Sequence, residues 1–162
     1  MQLKFEQLIL NIRPRTIESI SGMGQLQIKY LEAPDVKTLV EEIVMRLDMS
    51  HIVPQSVHCF RSKNSKSKRI IARIHGLGRI WQTSIGHSPA YIIEVISEQY
   101  DKLSQEDKEK TLIHELMHIP KGFKGGFRPH KGYISKKRVE KLYQQLLRQR
   151  FLKSREQCEL LE

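Results

Sequence analysis

Cysteine is almost missing from this chain. Cys59 and Cys158 are the two among 162 residues, too few for a disulfide framework and without CxxC spacing. Reduced thiols are therefore expected, with Cys59, on a predicted strand, kept as an alternative metal ligand. Long hydrophobic runs are missing too. The apolar residues 8–10 are interrupted on either side by Glu6, Asn11 and Arg13, which excludes a signal-peptide core and a membrane span and predicts a cytoplasmic protein. Acidic residues are scarce beside basic ones, 18 against 28, for a net charge of +10. Residues 61–80 hold seven lysines and arginines and no acid, and residues 121–155 hold twelve with Glu140 the single acid. Such clusters attract polyanions or acidic proteins, although a solvated helix face is the plainer account of a basic run. Aromatics are thin in those stretches, and no helix-turn-helix, RNA-recognition or zinc-finger pattern is present. Any nucleic-acid binding would then run through phosphates and be salt-sensitive.

The most specific pattern present is His114-Glu115-Leu116-Met117-His118, an HExxH motif. Two histidines four apart share one helix face and can grip one metal ion, while Glu115 is placed to take a proton from a water there. The flanking residues predict a helix over roughly 105–119. Ser104 and Asp107 form a capping pair, Glu106 and Asp107 suit the positive end of the helix dipole, and Pro120 stops the pattern. Leu112, Ile113, Leu116, Met117 and Ile119 make that helix apolar outside the motif face, so it should be buried. The bland alternative is a pair of core histidines bonded to backbone, with Glu115 neutralised by an arginine.

A third ligand is expected downstream. Three glycines between Pro120 and Pro129 let the backbone reverse and deliver His130 beneath the helix. Three protein ligands with one open position make a catalytic zinc site, one ion per chain. Glu140 on the next helix is the rival third ligand. Eleven residues separate His118 from His130, and Lys121 stands where HExxHxxGxxH requires glycine, so the metzincin pattern is excluded. Tyr133 and Arg128, flanking His130, are candidates to stabilise a developing oxyanion, with packing or surface roles as the alternative.

The remaining elements suit a small α+β fold. Asp35 reads as the N-cap of an amphipathic helix with Val36, Leu39, Val40, Ile43, Val44 and Leu47 on one face. Residues 57–61 and 70–75 read as strands around a polar turn, residues 79–90 as a loop, and residues 91–96 as a strand buried on both faces. Ser135 caps a last helix reaching about residue 155, with Val139, Leu142, Leu146 and Leu147 inward. Leu26, Ile28 and Tyr30 alternate as a candidate strand after a turn at Gly22 and Gly24. Residues 1–29 stand as an N-terminal extension to a domain over 30–162.

The stretch from His114 to His130, with Cys59-Phe60-Arg61-Ser62, Ala72-Arg73-Ile74 and residues 91–96, resembles a small family of zincin-type metallopeptidases found in archaea and phages. The likeness runs from about Tyr30 to Tyr143. A looser similarity is to SprT/Spartan-like proteases, which pair HExxH with a distant third histidine and act near DNA. The resemblance implies a minimal zincin-like fold: a small mixed sheet, an amphipathic helix, the HExxH helix and a C-terminal helix. It also implies that residues 91–96 lie inside the sheet and residues 69–75 form the antiparallel edge strand beside the cleft. Charges on that edge suit solvent or the pairing of an extended peptide. The expected activity is zinc-dependent hydrolysis of a peptide or protein. A metal-dependent nuclease, a nucleic-acid-binding protein with a structural metal, and a peptidase covered by residues 1–29 are the alternatives.

Overall fold

The computed structural model describes residues 27–159. Gly22, Gly24 and Leu26 lie outside the described residues, and the candidate strand begins later than expected, as β1 (Lys29–Glu32). Four strands form one mixed sheet in the order β1-β2-β4-β3, with β2 (Val57–Lys63), β3 (Ala72–Gly76) and β4 (Tyr91–Ile96). β2 and β4 run parallel, while β1 and β3 pair antiparallel to their neighbours. The fold is α+β, with β4 interior and β3 an antiparallel edge, the arrangement that the resemblance implies.

Strand alternation puts Val57, Cys59, Tyr91, Ile93 and Val95 on one face, where they form a core with the helices. α1 (Pro34–Arg46) supplies Val36, Val40, Ile43 and Val44, and α4 (Gln105–Met117) supplies Leu112, Ile113 and Leu116. Each fully buried aliphatic side chain contributes about 1.5–3 kcal/mol, so this face dominates the packing. β4 is buried on both faces as expected, apart from Ile92. On the far face Ile92 is 39% exposed, and the buried Glu94 carboxylate bonds His75 Nε2 at 2.9 Å and lies 3.6 Å from Arg73 Nη1. The charges of the edge strand thus pair with an internal acid rather than merely facing water.

Asp35 is not the cap of α1. Ala33 holds that position without a side-chain bond, and Pro34 opens the helix, where its fixed φ and missing N–H cost nothing. The Asp35 carboxylate instead meets Arg61 on β2, Nη2 to Oδ2 at 2.7 Å, and the guanidinium holds its pKa below the usual aspartate value against burial. The loop expected over 79–90 contains α2 (Arg79–Ile85), which ends on Gly86 at φ +64°. No residue of α2 is buried, so it lacks the inward stripe by which a helix is read from sequence. A single turn, α3 (Ser97–Tyr100), precedes α4.

α4 starts as expected, with the Asp107 N–H donating to Ser104 Oγ at 3.1 Å. α5 (Lys136–Glu159) is capped by Ser135 and runs past the expected end. Its inner face is Val139, Leu142, Tyr143 and Leu146, whereas Leu147, expected inward, is 37% exposed. One further residue turns a helix by about 100°, which carries Leu147 off the stripe.

Candidate metal centre

His114 and His118 project from the C-terminal end of α4, whose last residue is Met117, two short of the expected boundary, with His118 as its C-cap. The Arg128 N–H donates to the His118 carbonyl at 2.8 Å, and His118 Nδ1 lies 2.8 Å from the Arg128 carbonyl. A carbonyl only accepts, so Nδ1 carries the proton and Nε2 keeps its lone pair for another partner. One backbone segment therefore meets the end of the helix and sets the tautomer of the histidine that caps it.

The same segment delivers His130. Gly125 takes φ +83°, and a Cβ there would stand 1.9 Å from the Leu77 carbonyl oxygen, so only glycine fits where the loop crosses the end of β3. Tyr91, at the start of β4, ties this crossing down: its hydroxyl accepts from the Gly125 N–H at 2.9 Å and donates to the Gly126 carbonyl at 2.9 Å. Its ring also packs on Phe123 and Phe127, with centroids 4.9 and 6.1 Å apart. The chain then turns through Pro129 into His130–Tyr133, a helical turn broken at Lys131 and Gly132.

The three imidazoles converge. His130 Nε2 lies 3.1 Å from His114 Nε2, which lies 3.4 Å from His118 Nε2. Among the described residues they form a group of potential ligands within 4.8 Å of one another. Ligand bonds of about 2.0–2.1 Å in a tetrahedron put nitrogens about 3.3 Å apart, so the spacing suits a zinc-sized ion. Burial, followed by the neighbouring histidines, lowers the pKa of His114, and burial likewise leads the lowering at His118. Neutral imidazoles are the metal-binding form. Glu115 is 8% exposed, and burial alone pushes its carboxyl up to about 7. No arginine neutralises it among the described residues, contrary to the core-histidine alternative.

The cluster opens into a cleft of about 1350 Å³ between β3, α4 and the start of α5. Glu140 lines this cleft but is not part of the histidine group; its carboxylate is taken by Lys110 at 2.5 Å and Gln144 at 2.9 Å. Arg128 also lines the cleft, its guanidinium 5.9 Å from the Tyr133 ring, while Tyr133 is 52% exposed and lies outside the cleft wall. Cys59 is buried in the core and belongs to no ligand group among the described residues. Sequence reasoning missed Tyr91 and the Arg128 carbonyl. A strand-initial tyrosine reads as core, and a carbonyl leaves no mark in a sequence.

A family model described as "Putative phage metallopeptidase" matches residues 28–150. The chain belongs to this family. No curated protein and no solved structure matches it. The matched residues contain the three histidines, Glu115, the glycine loop and Tyr91, so the whole centre lies inside the family region. Family and geometry together make this a metallopeptidase-like chain with a three-histidine group able to hold a metal ion. No helix among the described residues is long and apolar enough to cross a membrane.

Proposed function

We propose that this chain is a zinc peptidase in which His114, His118 and His130 hold one zinc ion and Glu115 acts as general base. The observation that carries this reading is the convergence of three Nε2 atoms beside a buried, unpaired carboxylate. When bound, zinc would supply Lewis acidity, polarising a peptide carbonyl and acidifying water. The protein residues do the rest. His118 is locked in the correct tautomer by the Arg128 carbonyl, and the glycine loop holds His130 opposite α4. Glu115, buried at the cleft wall, accepts a proton from the attacking water and returns it to the leaving amine. The Arg128 guanidinium on the cleft wall is the proposed support for charge on the carbonyl oxygen. The free, buried Cys59 suits a reducing compartment, and the cytoplasm is the proposed location.

The test is metal content by elemental mass spectrometry on the natively purified protein beside His130→Ala. About one zinc per chain is expected, falling sharply in the variant. A native protein without metal after zinc is supplied would overturn the reading.

Tyr91→Phe removes only the hydroxyl that holds Gly125 and Gly126. Groups that orient metal ligands typically contribute about 10–100-fold to affinity, and this variant, acting one step further out, is expected near the lower figure. Competition with a chelator measures it. An unchanged zinc affinity would mean that the glycine contact with Leu77 positions the loop by itself.

A further inference from the structure

The cleft wall carries an imbalance of charge that the proposed hydrolysis does not use. Five cations line it, Arg69, Arg73, Lys110, Arg128 and Lys136. Two are already paired: Lys110 bonds Glu106 and Glu140, and Arg73 lies beside Glu94. Arg69, Arg128 and Lys136 have no carboxylate partner among the described residues, and they come from three separate segments: the approach to β3, the glycine loop and the start of α5. Against them stand three lining carboxylates, of which Glu140 is held by Lys110, Glu115 is buried, and Asp107 is bonded to the Ser104 hydroxyl. Low-dielectric walls focus such a field on whatever enters.

The rest of the lining says which polyanion fits. Ile70, Ile74, Leu103, Ile134 and Val139 make much of the wall apolar, and among the described residues Phe127 is its one aromatic side chain apart from the histidines. Single-stranded nucleic acids are held by successive aromatic platforms, which this cleft lacks. The outer edge of β3 is unpaired by any described strand and offers backbone groups to an extended chain.

We propose that the cleft selects polypeptide segments bearing aspartate or glutamate on both sides of the residue that meets the histidine cluster. This substrate class rests on the peptidase reading given above. Arg69 and Lys136 read the acidic side chains from opposite walls, and apolar side chains between them rest on Ile74, Ile134 and Val139.

The test uses labelled peptides of one sequence whose flanking positions are acidic, neutral amide or lysine. Binding to the full-length Glu115→Gln protein is followed by fluorescence anisotropy, with cleavage by the native protein measured in parallel. Each acidic side chain is expected to tighten binding about two- to fivefold, the preference fading as salt is raised. The double variant Arg69→Gln, Lys136→Gln is expected to bring the acidic and neutral peptides to similar affinity. Equal affinities across the three peptides in the unsubstituted cleft would overturn the proposal even if all three are cut. Displacement of the acidic peptide by single-stranded DNA of equal charge, with tighter binding by the DNA, would overturn it in favour of a polynucleotide. An acidic preference in binding with no cleavage of any peptide would support the recognition of acidic segments while counting against the peptidase reading.

Discussion

Replacing Glu115 with glutamine is expected to lower peptide turnover about a hundred- to ten-thousandfold while leaving zinc in place, since that is the range that positioned acid-base catalysis contributes. Glutamine keeps the shape of the side chain and removes its ability to take a proton. The environment makes the substitution informative. Glu115 is 8% exposed, has no cationic partner among the described residues, and is pushed up to about 7 by burial. A carboxyl poised near neutrality can both accept and return a proton, whereas one tied to an arginine would remain an anion. Steady-state cleavage together with zinc content separates the outcomes. Loss of turnover with zinc retained supports the role of general base, loss of both points to a damaged site, and full proteolysis in the variant refutes the role.

Arg150→Met is expected to destabilise the fold by about 2–3 kcal/mol, below the usual result of stripping one partner from a fully buried ion pair, because Glu109 is buried while Arg150 and Glu42 are partly exposed. Arg150 on α5 joins two acids from two other helices. Its Nη2 meets Glu42 Oε2 on α1 at 2.9 Å, and its Nη1 meets Glu109 Oε2 on α4 at 2.9 Å. Glu42 is shared with Arg46, and Glu109 accepts from Gln105 at 2.7 Å, but Glu109 is only 1% exposed and has no second cation among the described residues. Without Arg150 its carboxylate would remain buried and uncompensated. Urea unfolding measures the loss, and adding Glu109→Gln should recover part of it. A loss below about 1 kcal/mol would place the network among ordinary surface pairs.

The same network predicts a pH dependence. Arg150 is the main influence holding the Glu42 pKa below the usual glutamate value, with burial opposing it and Arg46 helping. A lowered pKa in the folded state means that this contribution is present at neutral pH and lost as pH falls through the carboxylate range. The acid limb of the stability curve should therefore be shallower in Arg150→Met.

Much of the centre was legible because its signals are local. The four-residue spacing of His114 and His118, the Ser104 cap and Pro120 lie within one helix and its ends, where side-chain spacing translates directly into geometry. The choice of His130 over Glu140 relied on glycines before a Pro-His pair, and the histidines do converge while Glu140 is engaged by Lys110. Expectations failed where a competing contact was invisible. Asp35 was read as a cap, yet Arg61 arrives from a strand 26 residues away and takes it. α2 was read as loop because a helix with no buried face leaves no apolar period. Leu147 was counted as core because leucine at an approximate spacing cannot be told from a true stripe until the helix is phased against α4 by Tyr143 and Arg150.

What the sequence by itself determined is the helix that carries His114 and His118, the α+β class and the basic character, because each follows from spacing or composition along the chain. Only the tertiary structure decided how the three histidines meet. The Arg128 carbonyl that sets the His118 tautomer, the Tyr91 hydroxyl across 34 residues from Gly125, the close approach of Gly125 to Leu77, and the unpaired cations facing the cleft are contacts between segments distant in sequence. Such contacts depend on where packing of the core places each backbone, and a linear pattern does not carry that information.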